Sequence, residues 1–159
     1  MTFEYHNFIN TGKLLYGRDI KQLIPRSTRA QEKSSAKQGL KEIYTSASKH
    51  SFYASEPDMD KQAYWAFSHI FRTASIALCG DGRYVSGKRE TVSAFHEVYA
   101  QKSELCGIIS QSFGLWKKWE TRSLTKEELQ QLTGFCSEFV SEICNLGIYP
   151  MNATRHGRK

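Results

Sequence analysis

The stretch from Pro57 to Leu78 constrains the fold more than any other. Ala63, Ala66, Phe67, Ile70, Phe71, Ala74, Ala77 and Leu78 recur at steps of three and four, which marks one face of an α-helix. The face is broad, so other elements must cover it, and its alanines let a neighbouring helix come close. This helix is expected to be central and the most buried. Pro57 opens it, because the N–H that proline lacks has no partner at a first helical position.

The rest of the chain repeats the pattern. Thr28 and Gln31 have the spacing of a capping box. They start a helix from Ser27 to Lys49 with Ala36, Leu40, Ile43 and Ala47 on one face. Gln101 to Trp119 carries Leu105, Ile108, Ile109, Phe113 and Trp116; Gly107 and Gly114 are expected to bend or split it. Thr125 and Glu128 form a second capping box before Leu129, Leu132, Phe135, Cys136, Phe139, Val140, Ile143 and Cys144, and Gly147 stands where a C-cap glycine belongs. A shorter helix follows Tyr84. No segment alternates as a strand does, and no internal repeat is present. The fold class is therefore all-α, an antiparallel bundle of four to five helices over residues 27–147. Residues 1–26 read as an N-terminal arm packed on that body, and 148–159 as a flexible basic tail.

Composition narrows the partners. At 159 residues the chain suits one domain with a sizeable core. Its formal charge of +6, part of it in Arg155, Arg158 and Lys159, favours polyanions. Aromatic residues make up 13%, which serves either a ring-rich core or a surface that stacks bases. Cys79, Cys106, Cys136 and Cys144 include no close metal-type pair. They read as reduced core thiols of a cytoplasmic protein, with no metal and no cofactor. The start MTFEYHNF lacks the pattern of a signal peptide, and no apolar run is long enough to cross a bilayer. Gly80, Gly82 and Gly87 match neither common phosphate-loop spacing and follow a helix, so they read as a helix-to-helix loop.

Chemistry-bearing residues gather after that loop. Arg89 and His96 are seven positions apart, and seven steps of about 100° return nearly to the starting direction. The pair therefore shares one helical face with Ser93 between them, while Val92, Phe95, Val98 and Tyr99 lie on the adjoining arc. The bland alternative is that Arg89 pairs with Glu90 or Glu97 and that His96 caps or packs. His69 and Arg72 border the central stripe, where a histidine is usually a hydrogen-bonded structural residue. Lys117, Lys118 and Arg122 surround Trp116 and Trp119. That cluster is either a nucleic-acid contact or a helix end whose cations suit the dipole.

The order of features resembles the HEPN superfamily of small helical proteins, notably its stand-alone and toxin–antitoxin-type members. The likeness runs from Thr28 to Leu146. It rests on a long polar helix, the segment DMDKQAYWAFSHIFRTASIAL, a Gly-Arg-Tyr-Val-x-Gly turn, a His-bearing helix and a closing Leu/Phe-rich helix. Active members are metal-independent ribonucleases that use an Arg and a His a few residues apart, usually with a polar residue after the Arg. Arg89, Glu90 and His96 match the widest form of that motif. The resemblance thus implies Arg89 and His96 as catalytic, with Lys88 and Ser93 against the substrate. It also implies RNA as substrate, a homodimer that supplies two of each group, and a cognate antitoxin or nucleotidyltransferase as partner. RNA carries its own nucleophile, the 2′-OH, and a histidine can move the proton while a guanidinium holds the phosphate. The alternative is a non-catalytic interaction or nucleotide-binding module, such as an antitoxin-like partner or adaptor.

Overall fold

The computed structural model describes residues 27–49 and 58–145. The N-terminal arm, Pro57, Gly147 and the basic tail lie outside them. The described residues form five helices and no strand: α1 (Arg29–Lys49), α2 (Met59–Gly80), α3 (Lys88–Val98), α4 (Ser103–Trp119) and α5 (Lys126–Asn145). The all-helical expectation holds at that level.

Both capping boxes form. The Thr28 N–H donates to Gln31 Oε1 at 2.8 Å and the Gln31 N–H to Thr28 Oγ1 at 3.3 Å. The Thr125 N–H donates to Glu128 Oε2 at 3.1 Å, answered by the Glu128 N–H on Thr125 Oγ1 at 3.2 Å. Each pair satisfies N–H groups that a helix start leaves without acceptors. At α2 the cap is Asp58, whose carboxylate accepts from the Asp60 and Lys61 N–H groups. α4 runs unbroken from Ser103 to Trp119. Gly107 and Gly114 do not split it, because its buried face, with Leu105, Ile108, Ile109 and Leu115, holds both halves in one frame.

α2 packs against all four other helices, most extensively α1 and α5. Its interior side is sealed: Ala63, Ile70, Ala74, Ile76 and Leu78 are fully buried. Against α1 the approach is close. A Cβ on Gly39 would stand 3.1 Å from Ile76 Cδ1.

Three contacts hold α3 in place. Phe95 is fully buried, its ring centroid 4.6 Å from that of Tyr99 and 5.3 Å from that of Phe139 on α5. Tyr99 donates its hydroxyl to the Asp81 carboxylate, tying the far end of α3 back to the preceding turn. Thr91 is buried, and its hydroxyl lies 3.4 Å from Ser75 Oγ on α2. In that turn Gly82 has φ 82°, which glycine adopts without steric cost. Arg29, at the start of α1, donates to the Cys79 carbonyl at 3.2 Å, placing a cation at the C-terminal end of α2.

Candidate functional site

α3 has one buried side and one exposed side. Thr91, Ala94 and Phe95 are buried, which fixes the inward direction. Arg89, Ser93 and His96 are exposed on the opposite arc, as their spacing predicts. The acids expected to neutralise Arg89 are engaged elsewhere. Glu97 pairs with Arg83 at 2.8 Å, and Glu90 Oε2 accepts from the Ser86 N–H and hydroxyl at 2.9 Å each. Arg89 makes no ion pair among the described residues. His96 Nε2 lies 2.7 Å from Ser110 Oγ on α4. That bond orients the ring and links its two protonation patterns. If Nε2–H donates to the hydroxyl, Nδ1 offers a lone pair; if the hydroxyl donates to Nε2, Nδ1 of the neutral ring carries the proton.

Lys88 lies elsewhere. One step back from Arg89 turns it about 100° around the helix, into a groove of about 420 Å³. The rings of Tyr64, Phe67, Phe71, Trp116 and Trp119 line this groove, together with the cationic side chains of Arg72 and Lys88. Ser75, Ser86 and Thr91 add hydroxyls, and among the described residues no carboxylate lines it. The Lys88 ammonium stands 4.5 Å from the Trp116 ring centroid, and Lys117 reaches the same ring at 4.7 Å, within cation–π range. Trp119 packs on Phe67 at 5.5 Å and donates its Nε1–H to Asp60 Oδ1 at 3.0 Å. Tyr64, by contrast, is 55% exposed. Lys88 is thus separated from Arg89, Ser93 and His96, none of which lines the groove.

The basic cluster after Trp116 is largely a structural device. Lys118 and Arg122 both reach Glu128, at 2.9 and 2.8 Å, and Lys117 pairs with Glu120 at 2.8 Å. Arg122, Lys118 and the Thr125 N–H hold the Glu128 carboxyl far below the usual carboxylate range. His69 is a core residue, with Nδ1 2.7 Å from the Trp65 carbonyl oxygen. Among the described residues no cluster of His, Cys, Asp or Glu could hold a metal ion. Nor is any described helix long and apolar enough to cross a membrane.

Sequence reasoning missed Tyr64 and Arg72 as site residues. The signal was present: Tyr64, Ser68 and Arg72 recur at i, i+4 and i+8 beside the apolar stripe, one row along the flank of a helix. The chain matches no known family model, no curated protein and no solved structure.

Proposed function

We propose that the protein is a HEPN-like helical ribonuclease, an antiparallel bundle that cleaves RNA without a metal, with Arg89 and His96 on the outer face of α3 as the reacting groups. One observation carries this reading. Arg89, Ser93 and His96 share an exposed arc, while Glu97 is engaged by an ion pair with Arg83 and Glu90 by hydrogen bonds from Ser86. In the reaction a 2′-OH attacks the adjacent phosphorus and the 5′-oxygen leaves, giving a 2′,3′-cyclic phosphate and a free 5′-hydroxyl. One imidazole takes the 2′-OH proton, and another protonates the departing oxygen. The Arg89 guanidinium stabilises the charge that builds on the phosphoryl oxygens. A single face has one imidazole, so the reading includes a two-fold dimer that apposes two α3 helices.

A second reading, a helical module that binds nucleotides without cutting, is favoured by a different observation: the concave, ring-lined surface holds Lys88 and neither Arg89 nor His96. The discriminating experiment is degradation of labelled single-stranded RNA by wild type, Arg89→Ala and His96→Ala in the presence of chelator. Cleavage by wild type that is lost in both variants supports the nuclease. Equal cleavage by wild type and His96→Ala, or none by any of them, removes it and leaves the binding module.

A further inference from the structure

We infer that Ser110 on α4 is a positioning residue for His96: its hydroxyl accepts the Nε2–H of the imidazole, which makes Nδ1 the nitrogen that takes up and gives back the proton. This rests on the reading of His96 as a reacting group. It names the working atom of the ring and the side chain, on another helix, that selects it. His96 Nε2 and Ser110 Oγ lie 2.7 Å apart across fourteen positions of the chain, well inside hydrogen-bond range. Each partner follows a sealed neighbour: Phe95, before His96, and Ile109, before Ser110, are fully buried. The core therefore fixes the backbone at both ends of the bond, while the imidazole is exposed and Ser110 half-buried.

Ser110 serves the ring and not its own helix. A hydroxyl inside a helix commonly bonds the carbonyl one turn back. Thr45 does so on Lys41 at 2.8 Å, and Thr91 on Gly87 at 2.9 Å. Among the described residues Ser110 Oγ bonds only His96 Nε2, and His96 Nδ1 has no partner. The surface beside the pair is low. Gly107 and Gly114 lie about one turn before and after Ser110. A Cβ on Gly114 would meet nothing within 4 Å, and one on Gly107 would reach only Gln111 Nε2 at 4.0 Å. A substrate can therefore come up to the bonded ring along bare backbone.

The direction of the bond follows from the proton cycle. An imidazolium carries N–H on both nitrogens, so in that state Nε2 can only donate to Oγ. If Nε2–H also donates in the neutral ring, the bond persists through loss and gain of the proton, and only Nδ1 changes. The opposite arrangement, hydroxyl to Nε2, leaves the proton of the neutral ring on Nδ1 and must break and reverse whenever Nε2 is protonated. The first arrangement keeps the ring still, so its geometry is set before the transition state is reached. In the cleavage step Nδ1 of one imidazole takes the 2′-OH proton as the 2′-oxygen bonds phosphorus. Nδ1–H of a second imidazole gives its proton to the 5′-oxygen as the bond from phosphorus to that oxygen breaks. Ser110 gains and loses no proton and acts only through the ring.

The test reads the ring directly. Long-range proton–nitrogen correlation spectra of the full chain, isotopically labelled at histidine, distinguish a protonated ring nitrogen from a bare one. The chain has five histidines, and the His96 signals are those lost in His96→Ala. In wild type the neutral ring should carry its proton on Nε2, with Nδ1 bare. Ser110→Ala should give a mixture of both tautomers with wild-type circular dichroism, and Ser110→Thr, which keeps the hydroxyl, should restore the single form. Single-turnover cleavage of labelled RNA should fall about tenfold in Ser110→Ala with RNA binding unchanged, and recover in Ser110→Thr, because an unrestrained ring spends only part of its time in the productive geometry. A neutral wild-type ring protonated on Nδ1, a tautomer balance that Ser110→Ala does not move, or cleavage unchanged in Ser110→Ala overturns the assignment and leaves the nuclease standing. Absence of cleavage by wild type sinks the nuclease, and the spectra then decide alone whether Ser110 sets the tautomer. Should Ser110→Ala lose its circular dichroism, the wild-type and Ser110→Thr spectra carry the same decision.

Discussion

Phe95→Ala tests whether one ring anchors the helix that carries both sides of the candidate site. α3 spans only eleven residues; it fully buries Thr91, Ala94 and Phe95, with Val92 and Val98 partly buried against the core, and Phe95 is the largest of these side chains. Phe95 is fully buried and touches two other rings, Tyr99 and Phe139, the latter across the core on α5. Truncating a buried phenylalanine costs about 3–5 kcal/mol, from lost transfer free energy plus the cavity left behind. The two ring contacts, each worth about 0.5–1.5 kcal/mol, are already partly in that figure and point to its upper half, near 4 kcal/mol. Against a net stability of about 5–15 kcal/mol for a domain, this is a large fraction. Urea unfolding followed by far-ultraviolet circular dichroism should show the unfolding free energy falling by that amount, through a lower midpoint at unchanged slope. Phe95→Leu should recover most of the loss, at a cost of about 1–1.5 kcal/mol, because a branched aliphatic group refills most of the space. Arg89→Ala and Ser93→Ala, on the exposed arc, should stay within about 0.5 kcal/mol of wild type. A loss below about 1 kcal/mol for Phe95→Ala would refute the anchoring argument, since even a site that collapses fully forfeits more than that.

Gly82→Ala should lower the melting temperature, with a loss of about 1–2 kcal/mol from the left-handed backbone alone. Its φ is 82° and the new Cβ would stand 2.9 Å from Arg29 Nη1, which caps the Cys79 carbonyl; an unchanged melting temperature contradicts this. Thr125→Ala should cost about 1 kcal/mol in chemical denaturation by removing the hydroxyl that accepts from the Glu128 N–H, and Thr125→Ser should restore it. For His69, burial holds the folded imidazole below its ordinary value of 6.5; the Trp65 carbonyl opposes this and the Arg72 charge adds to it. The unfolded chain then binds more protons, so stability should fall as pH drops from 6.5 towards the folded value. Unfolding midpoints measured on both sides of 6.5 should show a shallower fall for His69→Gln than for wild type; an identical slope removes His69 as its source. Burial pushes the Cys79 and Cys144 thiols up to about 11 and Cys136 to about 12. A thiol reagent near neutral pH should therefore label these cysteines slowly in native protein and quickly in denaturant, and rapid native labelling of all three would contradict that protection.

How far the site could be read in advance differs from residue to residue. Arg89, Ser93 and His96 could be placed on one exposed face because they belong to a single helix with a known angular step. Lys88 was grouped with them by sequence proximity, yet one residue of rotation carries it into the groove with Trp116. From sequence the Lys117, Lys118 and Arg122 cluster fits either a nucleic-acid contact or a helix end whose cations suit the dipole. Its pairing with Glu120 and Glu128 depends on how the end of α4 turns into α5. Gly107 and Gly114 suggested a broken α4, but their intrinsic helix cost is outweighed by the apolar face that α4 buries.

The amino-acid sequence by itself determined the helices, two of their caps and the face each turns inward. These follow from interactions spanning three or four residues, which a linear pattern records directly. The groove was decided by tertiary structure, because Tyr64 and Arg72 on α2, Lys88 on α3 and Trp116 and Trp119 on α4 meet only through packing. Which rings stay exposed, and which cations come to line one concave surface, depends on side chains tens of residues apart, and no local periodicity encodes those distances.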